Sequence, residues 1–114
     1  MTVRHWKAAY PWSAQAKTAL GAGLSSAVIE AINAGEQPKF DHGIDATVYA
    51  VARELLATGT LSNEGFNSTK EVLGFRRLVE IVAAIGHFCT TAMMANVVGA
   101  EPAADAQSYL KSQV

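Results

Sequence analysis

The chain has 114 residues, a formal net charge of −1 and a hydrophobic content of 50%. A chain of this length can form one domain with an adequate core, and its composition excludes an intrinsically disordered protein. The balanced charge leaves no basic excess to neutralise phosphates, so nucleic acid is not an expected partner. We predict one helical domain over residues 1–102 and a C-terminal tail over residues 103–114.

Cys89 is the only cysteine, which excludes an internal disulfide and a cysteine-based zinc site. The three histidines lie far apart in the sequence and show no metal-binding spacing, so no metal and no cofactor are expected. A lone thiol fits a reducing, cytoplasmic setting. The N-terminal residues also lack the continuous apolar run of a secretory signal.

The 21 alanines and the lack of an alternating apolar pattern favour helices over strands. Glycines divide the sequence into segments of helix length, and serine or aspartate precedes several of them as a candidate N-cap. This pattern predicts an all-α fold, a compact bundle of about five helices. The predicted helices run from about Val3 to Gly21, from Ser25 or Ser26 to Gly35, from the N-cap Asp41 to Gly59, from the N-cap Ser62 to Gly74, and from Phe75 to Val98, which Gly99 follows.

Apolar residues define one face on each of the third and fourth predicted helices. The third has a stripe formed by Ile44, Val48, Val51, Ala52 and Leu55. On the fourth we expect a buried side formed by Phe66, Val72 and Leu73. The tail is expected to be weakly ordered, with a short helix docking around residues 108–110.

The fifth predicted helix has apolar residues all around its axis. Its segment from Ile81 to Val98 is 18 residues long and contains no Asp, Glu, Lys or Arg, just short of the roughly 20 residues that span a bilayer. It is rich in alanine and contains Gly86, His87 and Asn96, which favours a buried helix of a soluble protein over a membrane span. We expect this helix to be central in the bundle or shared between subunits, and the protein to be a homo-oligomer without a membrane partner.

Polar and aromatic residues are densest between Arg4 and Gln15. At helical spacing Arg4 and Gln15 share a face that offers only a guanidinium and an amide, neither of which transfers protons near pH 7. Pro11 is expected to interrupt the first helix and to start a new one, leaving free N–H groups near Trp12 and Ser13.

Free amides beside a guanidinium favour anions. We therefore predict a cleft for a small carboxylate, lined by Arg4, His5, Trp12 and Gln15, with Tyr10 as a wall. In the alternative interpretation these residues pack against a neighbouring subunit.

Five stretches in a fixed order carry a resemblance: HWKAAYPWSAQAKTAL, GAGLSSAVIEAINAG, ATVYAVARELLATGTLSNEGF, LGFRRLVEIVAAIGHF and NVVGAEP. Together they cover roughly residues 4–102, and their order resembles the carboxymuconolactone decarboxylase family, which includes alkylhydroperoxidase AhpD-like proteins. The resemblance implies an all-helical fold that assembles into dimers, trimers or hexamers.

Family members commonly read Tyr-Glu-Trp-x-x-His where this chain reads YPWSAQ over residues 10–15. The resemblance thus places Pro11 at the glutamate position and Gln15 at the histidine position. The CxxC pair of peroxidase-type relatives corresponds to Ala8 and Pro11, and the acidic residue of their upstream helix has no counterpart in this sequence.

No catalytic residue is assigned, and whether the chain is an enzyme stays open. We favour a small homo-oligomeric binding or interaction module that keeps the scaffold of the family without its chemistry. The alternative is a family-type enzyme, a lactone-acid decarboxylase or a peroxide reductase, with rearranged catalytic groups.

Overall fold

A computed structural model of the chain describes residues 1–111, and within them it contains six helices and no strand. The prediction of an all-α fold is confirmed. Because the first predicted helix is split in two, the described chain has one helix more than expected. The helices are α1 (Thr2–His5), α2 (Ala9–Gly21), α3 (Ser26–Ala34), α4 (Gly43–Thr58), α5 (Asn63–Leu73) and α6 (Phe75–Val98).

Most helix ends follow the predicted capping residues. The Ser25 and Ser62 hydroxyls each accept a backbone N–H at the start of α3 and α5. Gly35, Gly59 and Gly99 end α3, α4 and α6 with φ values of 76°, 77° and 66°, in the left-handed region that glycine adopts without strain.

The prediction that Asp41 is the N-cap of the third predicted helix is wrong by one residue. The chain is still extended at His42, which is the N-cap of α4 and makes no side-chain cap hydrogen bond. Asp41 therefore lies one position outside the place from which a side chain can reach the free N–H groups. Asp45 supplies negative charge in the first turn of α4 instead.

The expected break near Pro11 is present, but it lies before the proline. Lys7 has φ 55° and separates α1 from α2, whose N-cap is Ala8. Pro11 is the third residue of α2, where its missing N–H would have had no partner within the helix. The proline is thus accommodated in the first turn, and the left-handed residue makes the break.

The main core cluster lies where α1, α2, α3 and α6 meet. It consists of Val3, Ala8, Trp12, Ala16, Ile29 and Ala92. Ala8 and Ala92 are both 0% exposed, and their small side chains allow α6 to approach the α1–α2 connection closely. The core therefore brings the first residues of the sequence into contact with α6, the last helix of the described chain.

One face of α6 is exposed, so this helix is not central within the chain. Leu78 and Ala92 on its inner face are buried, whereas Phe75 is 57% and Val97 83% exposed on the outer face. We call the positions 75, 79, 82, 86, 90, 93 and 97 the outer stripe, because their spacing of three or four residues places them on one side of the helix. The stripe consists of Phe75, Val79, Val82, Gly86, Thr90, Met93 and Val97, all exposed.

The expected buried side of α5 is also largely at the surface. Phe66 and Val72 are exposed, and Thr69 is the buried residue of this helix. The Phe66 ring meets the Phe75 ring at a centroid distance of 6.4 Å, which continues the outer stripe onto α5. Both rings therefore remain in contact with solvent.

The tail docks without forming the predicted helix around residues 108–110. The Asn33 amide Nδ2 donates to the Tyr109 carbonyl, and its Oδ1 accepts from the Lys111 N–H, both at 2.8 Å. The Asn33 side chain thus pairs with two backbone groups of the tail as a neighbouring strand would. A helix that included residues 107–111 would use the Lys111 N–H internally, because a helical N–H bonds to the carbonyl four residues earlier. The last part of the predicted tail, residues 112–114, lies outside the described residues.

Candidate functional site

The five residues predicted to line one cleft are distributed over several surfaces. Arg4 and His5 line a polar cleft, and Gln15 lines a separate apolar cavity. Trp12 is buried beneath the tail, and Tyr10 is exposed beside neither of these cavities. The break at Lys7 sends α1 and α2 in different directions, which is why residues that would share a face of one helix separate.

The polar cleft lies between the end of α3, the start of the chain and α4, and it has a volume of about 310 Å³. Arg4 Nε donates to the Asn33 carbonyl at 3.1 Å, which places a guanidinium at the C-terminal end of α3, where the helix dipole favours a cation. On the opposite wall Arg53 Nη1 donates to Gln37 Oε1 at 3.0 Å. The basic residues of the cleft are Arg4, His5 and Arg53, and its acidic residue is Glu36.

The apolar cavity is larger, about 400 Å³, and lies between α2, α3, α4 and α6. Most of its wall is hydrocarbon, formed by residues that include Val28, Ile32, Val48, Ala52, Ile85 and Phe88. The Asp45 carboxyl lies at this wall and would repel a carboxylate, so this cavity does not suit the predicted anion.

Met1 lines both cavities, and its amino group is buried. Desolvation by burial lowers the pKa of this amine from its usual value of 8.0, and the nearby positive charge of Arg4 lowers it further. Folding therefore makes this amine easier to deprotonate than it is in the unfolded chain.

The tail occupies the position at which Trp12 was expected to meet a ligand. Trp12 Nε1 donates to Ser108 Oγ at 3.1 Å, and Ser13 Oγ donates to the Ser108 carbonyl at 2.6 Å. The predicted free N–H near Trp12 is absent, because this amide donates to the Ala8 carbonyl at 3.0 Å within the first turn of α2. Both side chains are thus used to hold the tail.

Sequence reasoning missed Asn33 and Ser108, which organise this region. The carbonyl of Asn33 accepts from Arg4, and its side chain holds Tyr109 and Lys111. A signal for Asn33 was present, because it is an amide in the last turn of a mostly apolar helix, and it is only 1% exposed in the structure. The sequence analysis expected the tail to dock around residues 108–110, but nothing local to Ser108 indicates that it bonds to Trp12 and Ser13.

The C-terminal end of α1 is attached to α6 by two side chains. Trp6 Nε1 donates to Cys89 Sγ at 3.3 Å, and Asn96 Nδ2 donates to the Trp6 carbonyl at 2.8 Å. His87 lies two residues before Cys89 and points to a different side of the helix. It is exposed, and its ring contacts the Phe88 ring edge-on. Within residues 1–111 no three His, Cys, Asp or Glu side chains converge as a metal site.

By length and composition alone, α6 could cross a membrane. Its most apolar window has a mean hydropathy of 1.6, and only 6% of that window is buried. One such helix is weak evidence, since the core helix of a soluble protein passes the same test. The low burial nevertheless distinguishes α6 from an ordinary core helix and leaves its outer stripe exposed.

Within residues 1–111 the geometry shows an all-helical fold with a polar cleft, an apolar cavity and an exposed apolar face on α6. The resemblance to the carboxymuconolactone decarboxylase family stays a prediction from the sequence. No protein-family model matches this chain, and no curated protein or solved structure matches it either.

Proposed function

We propose that this protein is a homo-oligomeric interaction module, similar to the carboxymuconolactone decarboxylase family in scaffold but without its chemistry, and that it acts in a reducing, cytoplasmic setting. The observation that carries the proposal is the exposed apolar outer stripe of α6. Monomeric soluble proteins rarely leave an apolar patch larger than a few hundred Å² in contact with water.

The outer stripe is large enough for a specific interface. Its apolar side chains, together with Phe66, expose on the order of 500 Å², taking roughly 100 Å² for each half-exposed Val, Met or Phe. Met94 and Val98, which are 61% and 72% exposed, flank the stripe and extend it. The total approaches the roughly 800 Å² that each partner buries in an interface of standard size.

Association with protein explains this surface better than insertion into a bilayer. The charge-free part of α6, Ile81 to Val98, is about 27 Å long, somewhat less than the roughly 30 Å of a hydrocarbon core. Its inner face is also committed, because Ala92 is fully buried in the main core and Asn96 is hydrogen-bonded to Trp6. Insertion would remove α6 from the contacts that complete the domain.

Light scattering coupled to size exclusion at low micromolar concentration tests the proposal. We expect the chain to elute well above its monomer mass of 12.0 kDa, and Val79→Glu to shift it to the monomer, because a charge would be buried in the interface. The matched control is Ala14→Glu, at an exposed position of α2, which should leave the mass unchanged. A 12.0 kDa wild-type monomer would overturn the proposal. A monomer that partitions into phosphatidylcholine vesicles would instead favour the membrane interpretation.

The absence of the family chemistry has its own assay. The substituted positions Pro11 and Gln15 carry no group that transfers protons near pH 7, and loss of one positioned acid or base costs about 10²–10⁴-fold in rate. We expect lactone-acid decarboxylation and thiol-dependent peroxide reduction to stay at background. Robust peroxide turnover that survives Cys89→Ser would establish the family-type enzyme instead.

The polar cleft supports a second candidate function, the binding of a small carboxylate. Three basic side chains line it against one acidic one, which favours an anion. Arg53 carries the test, because Arg4 also holds the end of α3. Its guanidinium could form a charge-assisted hydrogen bond with a carboxylate, and loss of such a bond lowers affinity about 10–100-fold.

Trp6 can report binding, since its ring packs edge-on against His5 at 4.9 Å. We expect acetate or benzoate to change its fluorescence and Arg53→Gln to weaken the response. Lys17→Gln, which removes a positive charge at an exposed position on α2, is the matched control. If neither acid changes the emission at millimolar concentration, the polar cleft does not bind carboxylates.

A further inference from the structure

We infer that two copies of the chain pair through α6 in antiparallel orientation, across a twofold axis that passes through Gly86. This inference rests on the proposed self-association and specifies its geometry. Gly86 lies at the middle of α6, which spans Phe75–Val98, and a Cβ placed on it would meet no atom within 4 Å. The centre of the outer stripe is therefore open surface.

The outer stripe is symmetric about Gly86. Phe75 and Val97 each lie eleven residues from it, Val79 and Met93 each lie seven, and Val82 and Thr90 each lie four. A twofold contact requires a surface that is complementary to itself, with residue i facing residue j and residue j facing residue i. In an antiparallel pair centred on Gly86, every stripe position of one copy faces a stripe position of the other.

Side-chain sizes along this register also fit. The large Phe75 faces the smaller Val97, and the flexible Met93 faces the compact Val79, so bulky groups do not meet each other. At the axis Gly86 faces Gly86, which allows the two helices to approach within the 8–10 Å typical of packed helices or closer. The recurrence of stripe residues after eleven positions, at 75, 86 and 97, keeps the stripe nearly parallel to the helix axis.

Charge favours the antiparallel over the parallel arrangement. Arg76 and Arg77 lie in the first turn of α6, and both are exposed. In an antiparallel pair these cations lie beside the C-terminal end of the partner helix, where the carbonyls carry partial negative charge and Glu101 is exposed nearby. A parallel pair would place four arginines together and align the two helix dipoles.

Disulfide crosslinking in a Cys89→Ser background distinguishes the arrangements. Gly86→Cys, oxidised with copper phenanthroline in air, should convert most of the protein into a covalent dimer. Phe75→Cys and Val97→Cys should each stay uncrosslinked alone but crosslink when mixed, because antiparallel pairing places like positions about 33 Å apart and a disulfide requires a Cα separation below about 7 Å. Ala14→Cys on α2 is the matched exposed control and should not crosslink.

The possible outcomes separate this inference from the proposed function. Self-crosslinking of Phe75→Cys would establish a parallel pair and overturn the antiparallel one. A multimeric mass with no crosslink at position 86 or between positions 75 and 97 would overturn the inference and leave self-association standing. A monomeric mass would overturn both. Val82→Cys mixed with Thr90→Cys provides a second pair if the Gly86 variant folds poorly, and circular dichroism monitors folding of each variant.

Discussion

The surface that the tail covers on Trp12, Ser13 and Asn33, which we call the groove, differs from the outer stripe of α6 in what covers it. In the groove, Trp12 and Asn33 are buried, and the tail supplies a hydrogen-bond partner to each of their side chains. Ser108, which accepts from Trp12, is buried as well. On the outer stripe, Met93 and Val97 are exposed and meet nothing from the rest of the described chain that buries them. We therefore expect the groove to stabilise the single chain, and the outer stripe to contribute to stability only where a second molecule covers it.

Among the predicted effects on stability, the largest should come from truncating Trp12, the tryptophan of the groove. Trp12→Ala removes a side chain that is 4% exposed and leaves the Ser108 hydroxyl without its donor. We expect the free energy of unfolding to fall by about 3–5 kcal/mol, the usual cost of truncating a buried aromatic residue. Urea denaturation measures the loss, and Tyr10→Ala, at a residue 51% exposed, should cost much less. Equal losses for the two variants would contradict the comparison.

A smaller effect is expected from the amide that holds the tail. Asn33→Ala removes two hydrogen bonds and leaves the Tyr109 carbonyl and the Lys111 N–H without these partners. We expect a loss of about 2–3 kcal/mol, together with faster hydrogen exchange at Lys111. Asn67→Ala, at an exposed position of α5, should change neither quantity. Unchanged exchange at Lys111 would show that the tail is held by other contacts.

The outer stripe should affect stability only through association. We expect the wild-type melting temperature to rise with protein concentration, because association stabilises the folded chain by mass action. Met93→Ser should remove much of this dependence while changing the limiting stability at low concentration by less than about 0.5 kcal/mol. Scanning calorimetry over a hundredfold range of concentration measures both quantities. A melting temperature of the wild type that is independent of concentration would mean that the stripe has no partner.

The smallest effect should be a pH dependence from the buried Met1 amine. Its pKa is lowered on folding, so the unfolded chain binds more protons between the folded-state pKa and about 8.0. Stability contributed by this group should therefore rise as pH increases through that interval and level off above it. Urea denaturation of the native and the N-acetylated chain at several pH values isolates the contribution. An identical pH profile for the two forms would contradict the burial of this amine.

Local features of the fold were predictable from the sequence, whereas the site was not. Gly35 and Gly59 could be predicted to end helices because a helix end depends on the backbone conformation of one residue. Ser62 could be predicted to cap α5 because its hydroxyl bonds to a backbone N–H only three residues away. The contact of Trp12 with Ser108 joins residues 96 positions apart, and no helical period encodes such a pairing. Composition also could not show that α6 is exposed, because a core helix and an interface helix have the same apolar content.

The position of Asp41 shows that a prediction from residue type alone can misplace a helix start by one residue. The residue type suits an N-cap, yet the extended backbone at His42 moves the start of α4 by one residue and makes the aspartate irrelevant to capping. The predicted carboxylate cleft failed to form as one surface for a related reason. A single left-handed residue, Lys7, separates Arg4 from Gln15 by changing the direction of the chain.

The dependence of Trp12 on Ser108 has a consequence for synthesis on the ribosome. Translation proceeds from the N-terminus, so α1 to α5 emerge long before residues 108–111 exist outside the exit tunnel. Until then the Trp12 indole N–H must be hydrated and the Asn33 amide must bond to water. We therefore expect nascent chains that end before Ser108 to remain loosely packed and protease-sensitive, with the final native contacts forming only once residues 108–111 have left the exit tunnel.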